Sequence, residues 1–221
     1  MNIALIVFAG TGSRINSKIP KQFIQINETE LIVYTIKKFE DNPHIDEIVL
    51  VTSQDFMQYT ESLVDEYQFS KVKKIEVGGA SRQESVRLGL ESCNYHEDDN
   101  ILIHDGDRPL VSNSIINQCL EYLDESQAVC PFIYEADRIE EISNSGRNIV
   151  LDNRSVDIQT PQGFKFGLIK EAHLNNKDKV FSDDISLVEN VVRVKYFQGE
   201  KENFKVTTNK DLEYLEKLLN S

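Results

Sequence analysis

Residues 3–23, IALIVFAGTGSRINSKIPKQF, decide how this chain is read. Ile3-Ala4-Leu5-Ile6-Val7 is an unbroken apolar run of strand length, the pattern of a strand buried on both faces. A glycine-bearing polar stretch, residues 8–23, follows it at once. Gly10 and Gly12 let the backbone turn sharply and approach an anionic ligand with no Cβ in the way. Arg14 and Lys21 bring two cations to the same loop. Loop N–H groups with an Arg and a Lys make a polyphosphate site. The spacing matches neither the dinucleotide fingerprint, whose third Gly is missing, nor the Gly-Lys-Ser/Thr phosphate loop.

Outward from that stretch, strand and helix alternate. Strands are expected at Ile3–Phe8, Glu47–Thr52, Val72–Val77 and Ile101–His104. Apolar stripes at helical spacing lie between and after them: Ile32, Ile36, Phe39; then Phe56, Tyr59, Leu63, Val64, Tyr67; then Val86, Leu90, Cys93; then Ile115, Ile116, Cys119, Leu120, Leu123. Ser81 with Glu84 three residues on has the form of a capping box. This alternation predicts an α/β fold, a mostly parallel sheet with helices on both faces, whose ligands bind beyond the carboxyl ends of the strands. After Cys130 the pattern changes. Residues 136–158 are polar, with Ser143-Asn144-Ser145-Gly146 as the turn of a β-hairpin, and such a ribbon needs the body or a second subunit to pack on. Leu212, Leu215 and Leu219 mark a last helix.

The chain has 221 residues, 40% of them hydrophobic, which suits one well-buried domain. Its net charge of −13 argues against nucleic acid or an anionic membrane as a partner, so any phosphate site must be local. Cys93, Cys119 and Cys130 lack a paired spacing and read as small core hydrophobes. The chain opens directly into its first strand, no apolar run is long enough to span a bilayer, and a cytoplasmic protein is expected.

Further candidates follow other strands. His104-Asp105-Gly106-Asp107-Arg108-Pro109 places Asp105 where a carboxylate can hold Mg²⁺ on a triphosphate. Asp107 reads rather as a turn residue, and Arg108 could bind phosphate or brace Asp105. Gly78-Gly79-Ala80-Ser81-Arg82 allows close approach to a flat base, with Arg82 and Ser85 as donors. Thr160-Pro161-Gln162-Gly163-Phe164 and Ser182-Asp183-Asp184 read as later loops. Asn203-Phe204-Lys205-Val206-Thr207 reads as a short strand whose lysine is either solvated or functional. The four histidines lack ligand spacing. Together these pieces describe nucleotidyl transfer, chemistry that asks mainly for positioning and charge stabilisation. A nucleotidyltransferase using another NTP with a sugar phosphate, and a scaffold that has only kept the fold, are the competing readings.

The motifs A-G-x-G-x-R…P-K-Q, G-G-x-x-R-Q-x-S-V-x-x-G-L, H-D-x-x-R-P, T-P-Q-x-F, D-x-x-S-x-V-E and N-x-K-V-T-x-x-x-D-L occur in this order from Ile3 to Leu212. In them the chain resembles the CTP-dependent cytidylyltransferases that act on 2-C-methyl-D-erythritol 4-phosphate and, in close relatives, ribitol 5-phosphate. The resemblance implies a Rossmann-like, glycosyltransferase-A-type sheet in one domain (1–221), a homodimer, and a protruding arm over 136–158. It implies that Arg14, Lys21 and Lys205 are catalytic. Ala9, Gly10, Gly12, Gly79, Ala80, Arg82, Ser85 and Asp105 would bind CTP, Asp105 with Mg²⁺. Arg108, Arg138, Arg154, Thr160 and Asp183 would face a polyol phosphate. Four positions depart from the family pattern. Arg138 stands where an arm Thr is common, and Arg154 lies closer to Thr160 than the usual arm arginine. Asp107 replaces a small residue, and Phe8 replaces one before Ala9-Gly10. These departures sit mostly on the substrate side and leave ribitol or glycerol phosphate as alternative acceptors; Arg138 could take over phosphate binding, because a guanidinium fits a phosphate bidentately.

Overall fold

The opening apolar run forms strand β1 (Asn2–Val7) and is buried on both faces. The alternation of a strand sends Ala4 and Ile6 into one core cluster and Ile3, Leu5 and Val7 into the other. The structure is a computed structural model that describes residues 1–10, 19–134, 138–143, 146–151 and 156–220, with 138–143 and 146–151 as backbone alone. Beyond β1 the chain forms β2 (Gln25–Ile26), β3 (Thr29–Glu30), α1 (Leu31–Glu40), β4 (Glu47–Thr52), α2 (Met57–Glu66), β5 (Val72–Val77) and α3 (Arg82–Glu91). There follow β6 (Asn100–Asp105), α4 (Asn113–Leu123), β7 (Ala128–Tyr134), β8 (Arg138–Ser143), β9 (Gly146–Leu151), β10 (Val156–Ile158) and β11 (Gln162–Lys165). The last elements are α5 (Phe166–Asn175), β12 (Val194–Gln198) and α6 (Asn209–Leu219).

β5, β4, β1 and β6 lie side by side and parallel. From β1 the chain first steps outward to β4 and β5, then returns to place β6 on the other side of β1. That reversal opens a crevice between the carboxyl ends of β1 and β6. One face of the sheet is covered by α1 through Ile32, Ile36 and Phe39, and by α4 through Ile116, Cys119 and Leu123. The other is covered by α3 through Val86 and Leu90, and by α5 through Phe166 and Ile169. The helical stripes read from the sequence are therefore core. The three cysteines are buried and free. In α2 the stripe is only partly inside, with Leu63 buried and Tyr59 40% exposed.

Three local expectations need correction. Thr160-Pro161-Gln162-Gly163-Phe164 is not wholly a loop, because Gln162 to Lys165 form β11, an antiparallel strand between β6 and β7. Its register rather than its length makes it a strand, and four residues carry too little periodicity to show that. Residues 203–207 form no strand; the Val206 N–H donates to the carbonyl of Asp107, two residues past the end of β6, at 2.9 Å. Ser81 does cap α3 by accepting from the Glu84 N–H, 3.0 Å, but the Glu84 carboxylate accepts from the Ala80 N–H instead of the Ser81 N–H. A full capping box occurs at α6, between Thr208 and Asp211. Within the 136–158 stretch expected as a ribbon, β8 and β9 pair with each other from Arg138↔Leu151 to Ser143↔Gly146; residues 136–137, 144–145 and 152–155 lie outside the described residues.

β11 is tied to the end of β6 by a chain of hydrogen bonds with one consistent polarity. The Asp105 N–H donates to Thr160 Oγ1, 3.1 Å. His104 Nε2 lies 3.1 Å from the Arg108 carbonyl, which can only accept, so Nε2 carries the proton. Nδ1 must then accept from the Thr160 hydroxyl, 3.0 Å away. Burial pushes the His104 pKa down to about 3, so the ring is neutral in the folded protein.

This packing can be tested at two residues. A Cβ at Gly163 would meet Val129 Cγ2 at 2.7 Å and Leu102 Cδ2 at 2.9 Å, both fully buried. Gly163→Val should therefore cost about 1–3 kcal/mol in urea unfolding, and an unchanged midpoint would contradict the packing. Because His104 titrates near 3 when folded and near 6.5 when unfolded, protons bind the unfolded chain preferentially between these values, and stability falls as pH drops through that window. Wild type should lose about 2 kcal/mol more than His104→Asn between pH 7 and pH 5. Parallel pH curves for the two proteins would contradict a buried neutral ring.

Candidate active site

The crevice at the switch point has a volume of about 440 Å³, within the roughly 300–1,000 Å³ of small-molecule sites. Three strand ends build its walls. After β1, the chain runs on through Phe8, Ala9 and Gly10, and Gln22 holds this turn by donating Nε2 to the Phe8 and Gly10 carbonyls, 2.7 Å each. Among the described residues a Cβ at Gly10 would meet nothing within 4 Å, so none of them demands glycine there. After β5, Gly78 lies so close to the β1 turn that a Cβ would stand 2.4 Å from the Ala9 Cβ. Gly79 and Ala80 continue the wall, and Ser85 Oγ accepts from the Gly79 N–H, 3.1 Å. After β6 stand Asp105 and Asp107.

Lys21 reaches the crevice from a short 3-10 turn, Lys21–Phe23. Phe23 anchors that turn by stacking on Phe56 with ring centroids 4.5 Å apart and by meeting Phe8 edge-on. The buried Lys21 ammonium donates to the Val206 carbonyl, 2.6 Å, and pairs with Asp107 Oδ2 at 2.5 Å. Lys205 comes from the segment before α6 and places its ammonium 2.7 Å from Asp105 Oδ2 and 3.6 Å from Asp107 Oδ1. Arg82, in the first turn of α3, donates Nε to Asp105 Oδ1 at 2.7 Å and a terminal nitrogen to Asp184 Oδ2 at 2.8 Å. Its other terminal nitrogen is buried and has no hydrogen-bond partner among the described residues. Asp184 is completed by His173 Nε2 at 3.0 Å.

Burial alone would raise the Asp105 pKa, but Arg82, Lys205 and Arg108 outweigh it and hold the carboxyl well below the usual carboxylate range. Asp184 is lowered in the same way, against its burial, by Arg82 and His173. For Arg82, burial pulls the other way and the two aspartates prevail, so the guanidinium is raised above its ordinary value. Asp105, Asp184 and Arg82 are therefore charged at neutral pH, while the ring of His104 behind them is not.

Of the residues expected at the site, Ala9, Gly10, Lys21, Gly79, Ala80, Arg82, Ser85, Asp105 and Lys205 all line the crevice. Arg108 and Thr160 do not. The Arg108 guanidinium donates to the Asn203 carbonyl at 2.8 Å and the Ile158 carbonyl at 3.4 Å. The Thr160 carbonyl accepts from Asn203 Nδ2 at 2.8 Å. Both residues stand behind the wall and tie the segment that bears Lys205 to β6 and β11. Asp183 is likewise outside, accepting from the Ser186 N–H at 2.9 Å; its neighbour Asp184 is the one that reaches Arg82. Gly12, Arg14 and Arg154 lie outside the described residues, and Arg138 belongs to β8, where the backbone alone is described. Sequence reasoning missed Gln22, Asp184 and Thr207 as parts of the site. The first follows Lys21 directly and the second follows Asp183, and no periodic signal separates either from an ordinary loop residue.

Known proteins resemble this chain over nearly its whole length. The family model described as 2-C-methyl-D-erythritol 4-phosphate cytidylyltransferase (IspD) matches residues 2–221. A protein of that name from Clostridium botulinum (strain Okra / Type B1) is 37% identical, covering 99% of this chain and 97% of its own. One from Clostridium perfringens (strain SM101 / Type A) is 38% identical over 95% of each chain. The crystal structure of the Thermus thermophilus enzyme of the same name superposes with a TM-score of 0.78 at 27% identity, covering 98% of both chains. The Anaerococcus prevotii 4-diphosphocytidyl-2C-methyl-D-erythritol synthase shares the fold, with a TM-score of 0.84 at 23% identity over 100% of this chain and 96% of its own. The chain belongs to the 2-C-methyl-D-erythritol 4-phosphate cytidylyltransferase (IspD) family of nucleotidyltransferases.

Proposed function

We propose that this enzyme transfers the cytidylyl group of CTP to the phosphate of 2-C-methyl-D-erythritol 4-phosphate and releases diphosphate. One observation carries the reading: in a chain of this family, Lys21, Arg82, Asp105 and Lys205 converge from four separate elements on one crevice. A phosphate oxygen of the acceptor attacks the α-phosphorus of CTP in line. The new P–O bond forms as the bond to the bridging oxygen breaks, and that oxygen leaves with its electron pair on diphosphate. Lys21 and Lys205, with Arg14, stabilise the charge that gathers on the phosphates. Ala9, Gly10, Gly79, Ala80 and Ser85 surround the base, a slot that small residues leave open.

Asp105 suits a Mg²⁺ ion, since it is a hard oxygen donor kept ionised at the crevice wall. Among the described residues no group of three or more His, Cys, Asp or Glu could hold a metal, which agrees with an ion gripped by one carboxylate, phosphate oxygens and water. When bound, the ion would neutralise phosphate charge beside Asp105.

The acceptor side rests on Arg138 and Arg154 of the 136–158 arm as phosphate ligands, while Arg108 and Thr160 support the site through Lys205. The ribbon of β8 and β9 pairs with no other strand among the described residues, and a two-stranded ribbon is marginal alone. A homodimer in which each arm packs on the partner answers that need. Within a single domain of 1–221 this gives a cytoplasmic enzyme; no helix among the described residues is long and apolar enough to cross a membrane. A ribitol or glycerol phosphate acceptor is not favoured, because the relatives named above carry the methylerythritol name.

The decisive assay offers CTP and Mg²⁺ with methylerythritol, ribitol and glycerol phosphates side by side and reads diphosphate release and product mass. CDP-methylerythritol should dominate; turnover confined to another polyol would overturn the acceptor, and no turnover with any of them would overturn the enzyme. Lys21→Met and Lys205→Met should each lower kcat by about 10²–10³, measured at saturating CTP. Retention of wild-type kcat by either variant would remove that lysine from the mechanism.

A further inference from the structure

The ion pairs of the crevice join three cations, Lys21, Arg82 and Lys205, to three carboxylates, Asp105, Asp107 and Asp184. Their charges cancel. A site meant to receive a triphosphate thus has no surplus of positive charge from these six groups, and the carboxylates differ in how they are engaged. Asp105 and Asp184 each use both oxygens in hydrogen bonds. Asp107 does not. Its Oδ2 contacts the Lys21 ammonium at 2.5 Å, while Oδ1, though buried, has no hydrogen-bond partner among the described residues and faces the Lys205 ammonium from 3.6 Å. One carboxylate therefore spans the two lysines assigned to the phosphates, in the manner of two oxygens of a phosphoryl group.

From this geometry we infer that Asp107 is an internal anion that competes with the polyphosphate for Lys21 and Lys205 and so sets the affinity for CTP and for diphosphate. The inference rests on the nucleotidyl-transfer reading above and names a positioning residue of that same site. In the free enzyme Asp107 compensates Lys21, which would otherwise be a buried cation with only a carbonyl for company. Once phosphate oxygens arrive, the same carboxylate becomes a like charge a few ångströms away and weakens their hold. The weakening acts on substrate and leaving group alike. It lowers ground-state binding without removing either lysine from the transition state, which keeps the released diphosphate from lingering on its own ligands.

The test is calorimetric binding of CTP, inorganic diphosphate and cytidine to wild type, Asp107→Asn and Asp107→Ala, with KM and kcat measured in parallel. Asparagine keeps the shape and removes the charge; alanine guards against an amide that repacks. Diphosphate and CTP should bind roughly three- to thirtyfold tighter to both variants, with KM for CTP falling and kcat falling as diphosphate release slows. Cytidine, which has no phosphate, should bind as it does to wild type. Equal or weaker diphosphate binding in both variants would overturn the proposal, as would cytidine tightening to the same extent. If wild type binds neither CTP nor diphosphate, the function itself falls and this inference with it; wild-type binding with no gain in the variants defeats the inference alone.

Discussion

The Asp105 carboxylate at the end of β6 is the group on which the rest of the site depends. One of its oxygens holds Arg82, which begins α3, and the other holds Lys205, one hundred residues further along the chain. Through Arg82 it is joined to Asp184 and His173, and through Lys205 to Asp107 and Lys21. Signs alternate along the path from Asp184 to Lys21, so each charge that leaves water finds an opposite one, and the desolvation cost of one buried ion is offset by its neighbours. Removing any member would strand a partner, which is why these side chains are positioned before a ligand is present.

The sheet makes that convergence feasible. In a parallel sheet whose strand order reverses beside β1, the ends of β1, β5 and β6 all open on the same side. Backbone bonds from the first residues past the strands, such as the Phe8 N–H to the Val51 carbonyl at 2.8 Å and the Gly106 N–H to the Val7 carbonyl at 2.9 Å, fasten the exits to neighbouring strands. The glycine at 78 lets the β1 and β5 exits touch. Behind them, His104, Thr160, Arg108 and Asn203 connect β6 to β11 and to the Lys205 segment through neutral or backbone-directed hydrogen bonds, leaving the charged contacts to the crevice side.

What could be read from the chain alone had strong local signatures. β4 and β5 match the expected bounds residue for residue, and the buried stripes of α1, α3 and α4 are those the helical period marks. The glycine loops and the strand-end aspartate were visible because only a few residue types tolerate such positions. The failures share a cause. β11 is a strand because β6 and β7 lie on either side of it. Residues 203–207 resemble a strand in composition but lie where no ladder is available to them. Asp183 and Asp184 are adjacent and chemically identical, and only the direction of the backbone at that point sends one to Arg82 and the other to the Ser186 N–H.

By itself the sequence determined the α/β class, the parallel half of the sheet, and the identity of most groups around the crevice, since periodicity and residue chemistry are local properties of the chain. Tertiary structure alone decided that Arg108 and Thr160 stand behind the site, that Gln22 braces its first loop, and that Asp107 lies across the two lysines. Those facts arise from contacts between residues far apart in the chain, such as Gln22 and Phe8 at 14 positions and Arg108 and Asn203 at 95. Their energies depend on distance and burial in three dimensions, and no local pattern in the chain encodes either.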